Sequence, residues 1–429
     1  MLIAFSVIAR VAYLHLMEFK GDELHFLSQA YLNARSFGSI RSLNSSLPLP
    51  HPPLLVFVLA LPVFFTVDPI IVTGWIVLLN IVGIWLLFEF LSEFFSRYVA
   101  ILGTALFATA PWAVILSRKI WNPDIAFPFA IAFYFLFFIA IKDGKCWKVV
   151  IASVALAIAC QSHLSFLMLL PTVVIYLLLV RPPIAFRTYG VCLIVVTSLL
   201  LPYVIDVVSH HSGGTQDFFA SVVHSFSMPN ASEFFSQLDW AVAASSGTHF
   251  DFLLGQQGFE TFVSSNHLGF CLAILRFVVL FMYVCLIFQV AVLLKGLFKV
   301  GSRSLGMQQC ILLFFFIHFC IVILAYSLVH VPPFAHYYVV LYPIFPLVFA
   351  LTWDQLYRKY DWNPVRFMMH VISLGIVVVN TVFILSFFSF IGRAPEAIFG
   401  DYGRPYVLDR TQWEQQIQLF VRQHKWESR

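Results

Sequence analysis

Residues 69–90 read PIIVTGWIVLLNIVGIWLLFEF, twenty-two positions with a single charge, Glu89, next to the end. A helix needs about 20 mostly apolar residues to cross a bilayer, so this stretch reads as a membrane span. Similar stretches recur on both sides of it, near 1–17, 99–117, 125–141, 148–161, 164–180, 188–208, 268–294, 308–329, 336–353 and 367–391. The composition agrees. Of 429 residues, 61% are hydrophobic and 11% charged, and mean hydropathy is +0.89, whereas a soluble domain carries roughly 25% charge. Forty-eight Phe would overfill one soluble core but are readily absorbed by lipid-facing helices. The expectation is an all-α polytopic membrane protein, a transmembrane bundle of about 11–13 helices with juxtamembrane helices on the outer face.

Lys and Arg in short loops fix the sidedness. Lys142, Lys145 and Lys148, then Arg181 and Arg187, then Lys295, Lys299 and Arg303, then Arg358, Lys359 and Arg366 fall on one side. That side is the cytoplasm, and the N-terminus lies there. Outside are the first loop 18–51, the turn 118–124, the tip Gln161–His163, the long loop 209–266, residues 330–336 and a short tail 392–429. Residues 1–391 make up one transmembrane domain on this count. Residues 52–66, PPLLVFVLALPVFFT, are short and broken by Pro52, Pro53 and Pro62. They read as interfacial or re-entrant, since a full crossing there would invert every later loop. Residues 1–17 lack a small-residue cleavage site and form a retained span. Arg10 inside it must face protein or water rather than lipid.

Several classes drop out. The seven cysteines form no CxxC pair and read as small buried apolar groups. There is no P-loop, no GxGxxG and no internal repeat, which argues against a nucleotide-driven pump. No basic stretch interleaved with aromatics suggests nucleic acid. The net charge of +4 fits anionic ligands at a membrane without selecting one.

Chemistry-bearing residues collect on the outer face. Asp22 and Glu23 open the first loop's helix, where carboxylates also serve as plain helix caps. Arg118 and Lys119 lie on the side where the positive-inside rule disfavours them. An anionic headgroup would explain them, and so would interfacial snorkelling. Asp124 follows, able to cap a helix, pair with Arg118 or hold a metal ion. His51 precedes Pro52-Pro53-Leu54, His163 sits at a hairpin tip, and His336-Tyr337-Tyr338 opens a late span. One such histidine alone is ordinarily just hydrogen-bonded in place. Together these groups could activate a hydroxyl while neutralising a phosphate leaving group.

The order of these elements resembles the GT-C glycosyltransferases, and within them the branch of protein O-mannosyltransferases, aminoarabinose–lipid A transferases and lipopolysaccharide-core galacturonosyltransferases. The residues that carry the likeness are Arg10, Asp22-Glu23, His51-Pro52-Pro53-Leu54, Arg118…Asp124, and His336-Tyr337-Tyr338 with Pro343. It covers roughly the first 180 residues and 330–350; the departure is His51, where members carry Lys. The resemblance implies a GT-C-type bundle and inverting transfer of a monosaccharide from a polyprenyl-phosphate donor to a lipid, glycan or protein acceptor at the outer face. Asp22 is then the general base, and Glu23 supports it or binds substrate. Arg118 and Lys119 hold the departing phosphate. His51, His163, His336, Tyr337 and Arg10 belong to the donor site. A divalent metal ion (Mg, Mn or Zn) is admitted as cofactor, with Asp124 and Asp22 as its ligands. The implied setting is a bacterial inner membrane.

Two other classes compete. A flippase or transporter of lipid-linked saccharide would show paired repeats and charges at the midplane. An oligosaccharide polymerase, ligase or acyltransferase would centre on 209–266, with His210, His211, His249 and Asp251 as suspects.

Overall fold

The computed structural model describes residues 2–36, 50–210, 228–243, 248–301, 304–360 and 362–425. His211 and the stretches 37–49, 211–227 and 244–247 of the two long outer loops lie outside them. The described chain is helical throughout, its one β-bridge joining Glu18 to Pro405.

Six helices are long and apolar enough to cross a membrane: α4 (Pro69–Phe94), α7 (Asn122–Asp143), α10 (Phe186–His210), α14 (Gly269–Val300), α15 (Met307–Leu328) and α17 (Asn363–Arg393). The 3-10 helix Ala335–Leu341 and α16 (Ile344–Lys359), bent by 49° against each other, together have the length and hydropathy of one more span. Shorter apolar helices fill in between: α1 (Leu2–Val11), α3 (Leu54–Phe65), α5 (Arg97–Thr109), α8 (Cys146–Cys160) and α9 (Leu169–Val180). The protein is thus an integral membrane protein with an all-α bundle. Juxtamembrane pieces are α2 (Gly21–Ser36), α6 (Pro111–Ile115), α11 (Ala231–Ala243), α12 (Asp251–Leu254), α13 (Gln256–Ser265) and α18 (Arg410–Lys425).

Local chemistry sets the ends. Asp68 caps α4 by accepting from the Ile70 N–H at 2.8 Å, with Pro69 in the first turn. Ser96 caps α5 through the Val99 N–H at 3.2 Å. The stretch 99–117, which reads as one span, is two helices, because Pro111 lacks an N–H and the chain turns at Ala110 into α6. At about 1.5 Å per residue, the 12 residues of α3 reach about 18 Å, short of a full crossing.

α7 lies between α4 and α8. It approaches α4 so closely that a Cβ on Gly83 would stand 2.9 Å from the Pro128 backbone. Phe107 stacks on Phe127 with centroids 4.1 Å apart, and Phe133, Phe137, Phe138, Tyr176 and Phe314 interlock further along. A second core sits at the end of the bundle that carries α2, α3 and α18. Phe26, Ala30 and Tyr31 of α2 pack with Leu55 and Leu59 of α3, Val72 and Ile76 of α4, and Ile417 and Val421 of α18. The segment after α17 is therefore built into the fold. Phe399, Asp401 and Tyr402 donate their N–H groups to Leu254, Phe252 and Leu253, and the Tyr406 N–H bonds the Met17 carbonyl at 2.9 Å.

Candidate active site

Residues 17–23 lead from the first helix into α2, and their charges form one buried chain. Glu23 is fully buried. Its Oε2 accepts the Lys20 N–H at 2.6 Å, capping α2. Its Oε1 faces Lys119 Nζ at 3.0 Å. Lys119 Nζ also lies 2.8 Å from Glu18 Oε1, and Glu18 is paired in turn with Lys20. Two carboxylates and two ammonium groups balance, as burial requires. Burial works to lower the Lys119 pKa, but Glu18 and Glu23 outweigh it and hold it well above the ordinary lysine value. Burial pushes Glu23 up against the pull of Lys119. Lys20 reaches the Asp401 carbonyl and the Tyr402 hydroxyl bonds the Leu16 carbonyl at 2.6 Å, so the segment after α17 straps this loop down.

Asp22, one residue before Glu23, is exposed and acts electrostatically on His25 and His51. The three histidines of the outer face converge. The His51 and His163 rings are 5.7 Å apart and those of His163 and His336 6.3 Å. His336 packs on Trp121 at 4.4 Å and on Tyr337 at 4.2 Å. Trp121 carries Lys119 Nζ over its ring at 4.1 Å, closing the circuit from the histidines to the ion chain. Asn122 clamps this corner by donating to the Pro52 carbonyl at 3.3 Å and the Ser162 carbonyl at 3.2 Å. Burial pushes the His51 imidazole down to about 4 against the pull of Asp22, and it drives His163 the same way. His163 Nδ1 accepts the Ser165 N–H at 3.2 Å, which leaves Nε2 to carry its proton.

The arginines sit deeper. Arg10 donates to the Ala108 carbonyl at 2.8 Å, the Ala113 carbonyl at 3.2 Å and Ser6 Oγ at 3.1 Å. Those carbonyls belong to the last turns of α5 and α6, where no helical partner exists. Arg10 thus repairs the break at Pro111. Arg118 lies with its guanidinium 3.6 Å from the Phe388 ring centre and bonds the Ala9 carbonyl at 3.4 Å. Its Nε and Nη2 are buried with no partner among the described residues. Asp124 Oδ1 accepts the Lys119 N–H at 3.0 Å, and Oδ2 is buried without a partner. Among the described residues no three His, Cys, Asp or Glu side chains are placed to hold a metal ion.

Glu18, Trp121, Asn122 and Tyr402 are parts of this site that sequence reading did not assign. A separate cavity of about 270 Å³ is lined by Asp239, Thr248, His249, Asp251 and Arg276. There His249 Nε2 bonds Asp239 at 3.1 Å and stacks on Trp240.

In sequence the chain matches no family model and no curated protein. Among solved structures it is similar to ArnT from Cupriavidus metallidurans in the apo state. That likeness has a TM-score of 0.55 and 11% identity, and covers 92% of this chain and 79% of that one. Against ArnT bound to undecaprenyl phosphate the TM-score is 0.56 at 11% identity, over 92% of this chain and 77% of that one. At such identity the likeness speaks for the fold. The protein is an integral membrane protein built on the GT-C fold.

Proposed function

We propose that the protein is a membrane glycosyltransferase that moves a monosaccharide from a polyprenyl-phosphate carrier to an acceptor hydroxyl or amine on a lipid, glycan or protein. The observation that carries this reading is the convergence of an exposed carboxylate, a buried Lys119–carboxylate chain and three histidines from distant segments. The fold supports it, since one of its solved neighbours was captured with undecaprenyl phosphate. On this reading the site faces outward from a bacterial inner membrane with the N-terminus in the cytoplasm.

Of the two adjacent carboxylates, Glu23 has both oxygens engaged, so it positions Lys119. Asp22 is free to reach an acceptor and serves as the general base. One base suffices for direct, inverting displacement at the anomeric carbon, because no carboxylate nucleophile is then needed. The sugar carbon gains the acceptor oxygen and loses the phosphate oxygen, which keeps the electron pair. Arg118 and Lys119 provide the positive field for that phosphate. His51, His163 and His336, with Tyr337, supply hydrogen-bond donors around it. Arg10 supports the site through the helix break beneath Arg118. The cavity around His249 and Asp239 favours a second reading, in which chemistry centres on the 209–266 loop.

Sugar transfer in proteoliposomes, with a panel of polyprenyl-phosphate sugars and Asp22→Asn as comparison, decides between them. One donor consumed by wild type and spared by the folded variant supports the first reading. Equal turnover by both moves the chemistry to His249.

A further inference from the structure

We propose that His51 is the proton store for the leaving phosphate: its imidazole, neutral in the empty site, takes up a proton when a polyprenyl phosphate monoester occupies it. This rests on the transferase reading above. The donor is a phosphodiester with one negative charge. When its bond to the sugar breaks, the electron pair stays on the phosphate oxygen, and the product is a monoester with a second pKa near about 6. At the same moment the acceptor O–H gives its proton to Asp22. One new negative charge and one proton therefore appear within the same site.

The fixed cations do not cover that new charge. Lys119 adds to the field on the donor's single charge but is otherwise taken up by Glu18 and Glu23, and the terminal donors of Arg10 go to the Ala108 and Ala113 carbonyls and to Ser6. Arg118, with two unpartnered donor nitrogens, answers the single charge the donor brings. The second charge calls for a group that becomes positive only when needed.

Of the three imidazoles only His51 suits. His163 Nδ1 already accepts the Ser165 N–H, and protonating it would break that cap. His336 is enclosed by Trp121, Phe334 and Tyr337 and feels the Lys119 cation. His51 Nδ1 is buried with no partner among the described residues. The charged and titratable groups around it are Asp22 from α2, His163 from the turn after α8 and His336 from the 3-10 helix. From α10, Asp206 stands beside Tyr203, whose hydroxyl bonds the Pro50 carbonyl at 2.7 Å. Asp22, which takes the acceptor's proton, acts on His51 through its charge, and with His51 protonated the site returns to its starting charge.

The test is calorimetric binding of undecaprenyl phosphate to the full chain in nanodiscs at pH 8, in two buffers of different ionisation heat. At that pH the free phosphate is mostly dianionic. Wild type is expected to take up about one proton per lipid bound. His51→Gln should take up none and bind at least about tenfold more weakly. His51→Lys, a fixed cation, should take up none and bind like wild type. Proton uptake that persists in His51→Gln, or none in wild type, overturns the proposal. Failure of wild type to bind the lipid at all instead sinks the transferase reading itself.

Discussion

Lys119 Nζ lies 2.8 Å from Glu18 Oε1 across 101 positions of sequence, and both side chains are buried. This contact joins the turn before α7 to the loop before α2, and Glu23 completes it from the other side. Lys119→Met should leave two carboxylates buried without their cation. A loss of about 3–5 kcal/mol is expected, as for other buried pairs broken from one side. Thermal unfolding in detergent measures it. Adding Glu23→Gln to Lys119→Met should recover part of the loss, and a double variant no more stable than the single one would deny the coupling.

Asp22 is exposed, and its side chain has no hydrogen bond or ion pair that holds the fold among the described residues. Asp22→Asn should therefore leave the melting temperature unchanged. Loss of the base should lower kcat by about 10²-fold or more, with KM for the donor little altered. Single-turnover kinetics with a saturating donor separates the two constants.

Arg10→Leu should act on the fold first. It removes the hydrogen bonds to Ser6, Ala108 and Ala113 and leaves the Ala108 and Ala113 carbonyls buried at the helix break. Each unsatisfied group costs about 1–3 kcal/mol, so a marked fall in melting temperature is expected. Full thermal stability with activity lost would show that Arg10 serves the donor directly.

Acid sensitivity follows from His51. Its folded pKa, about 4, lies below its ordinary value of 6.5, so the unfolded chain binds this proton more readily. The His51 contribution to stability is complete above about pH 6.5 and is lost as pH falls towards about 4, by no more than about 3 kcal/mol. Melting curves from pH 7 to pH 4.5 should fall less steeply for His51→Gln than for wild type. Parallel curves would remove His51 from the account.

Chelation tests the division of labour among the charges. No three-ligand group for a metal occurs among the described residues, while Lys119, Arg118 and the histidines already supply positive charge and donors. Transfer that survives EDTA with activity within about twofold would show that these cations and donors suffice without an ion. Loss that magnesium or manganese restores would point to Asp124 Oδ2 and the donor phosphate sharing an ion.

Much of the architecture was legible because membrane helices announce themselves in composition. The run 69–90 appears as α4, and the short, Pro-rich segment after His51 is a helix of half-crossing length. Bends were less visible. The run 336–353 has uniform hydropathy, yet its chain bends by 49° at Tyr342-Pro343. At the site, sequence order pointed to Asp22, Glu23, Arg118, Lys119 and the histidines, which cluster through contacts no local pattern encodes. Glu18 escaped notice because its partner Lys119 is a hundred positions away. The role of α18 had a signal that was not used: Trp413, Ile417, Phe420 and Val421 recur at helical spacing, and they pack on α2, α3 and Phe19.

The strap that covers Glu18 and Lys20 also bears on how the molecule is made. Residues 399–406 follow α17, so they reach Glu18 and Lys20 only after α17 has been threaded through the bilayer. Until then the Leu16 and Met17 carbonyls lack Tyr402 and Tyr406, and Lys20 lacks Asp401. A half-inserted chain thus carries an unfinished charge pair beside Glu23. The first loop is completed only once membrane insertion is done.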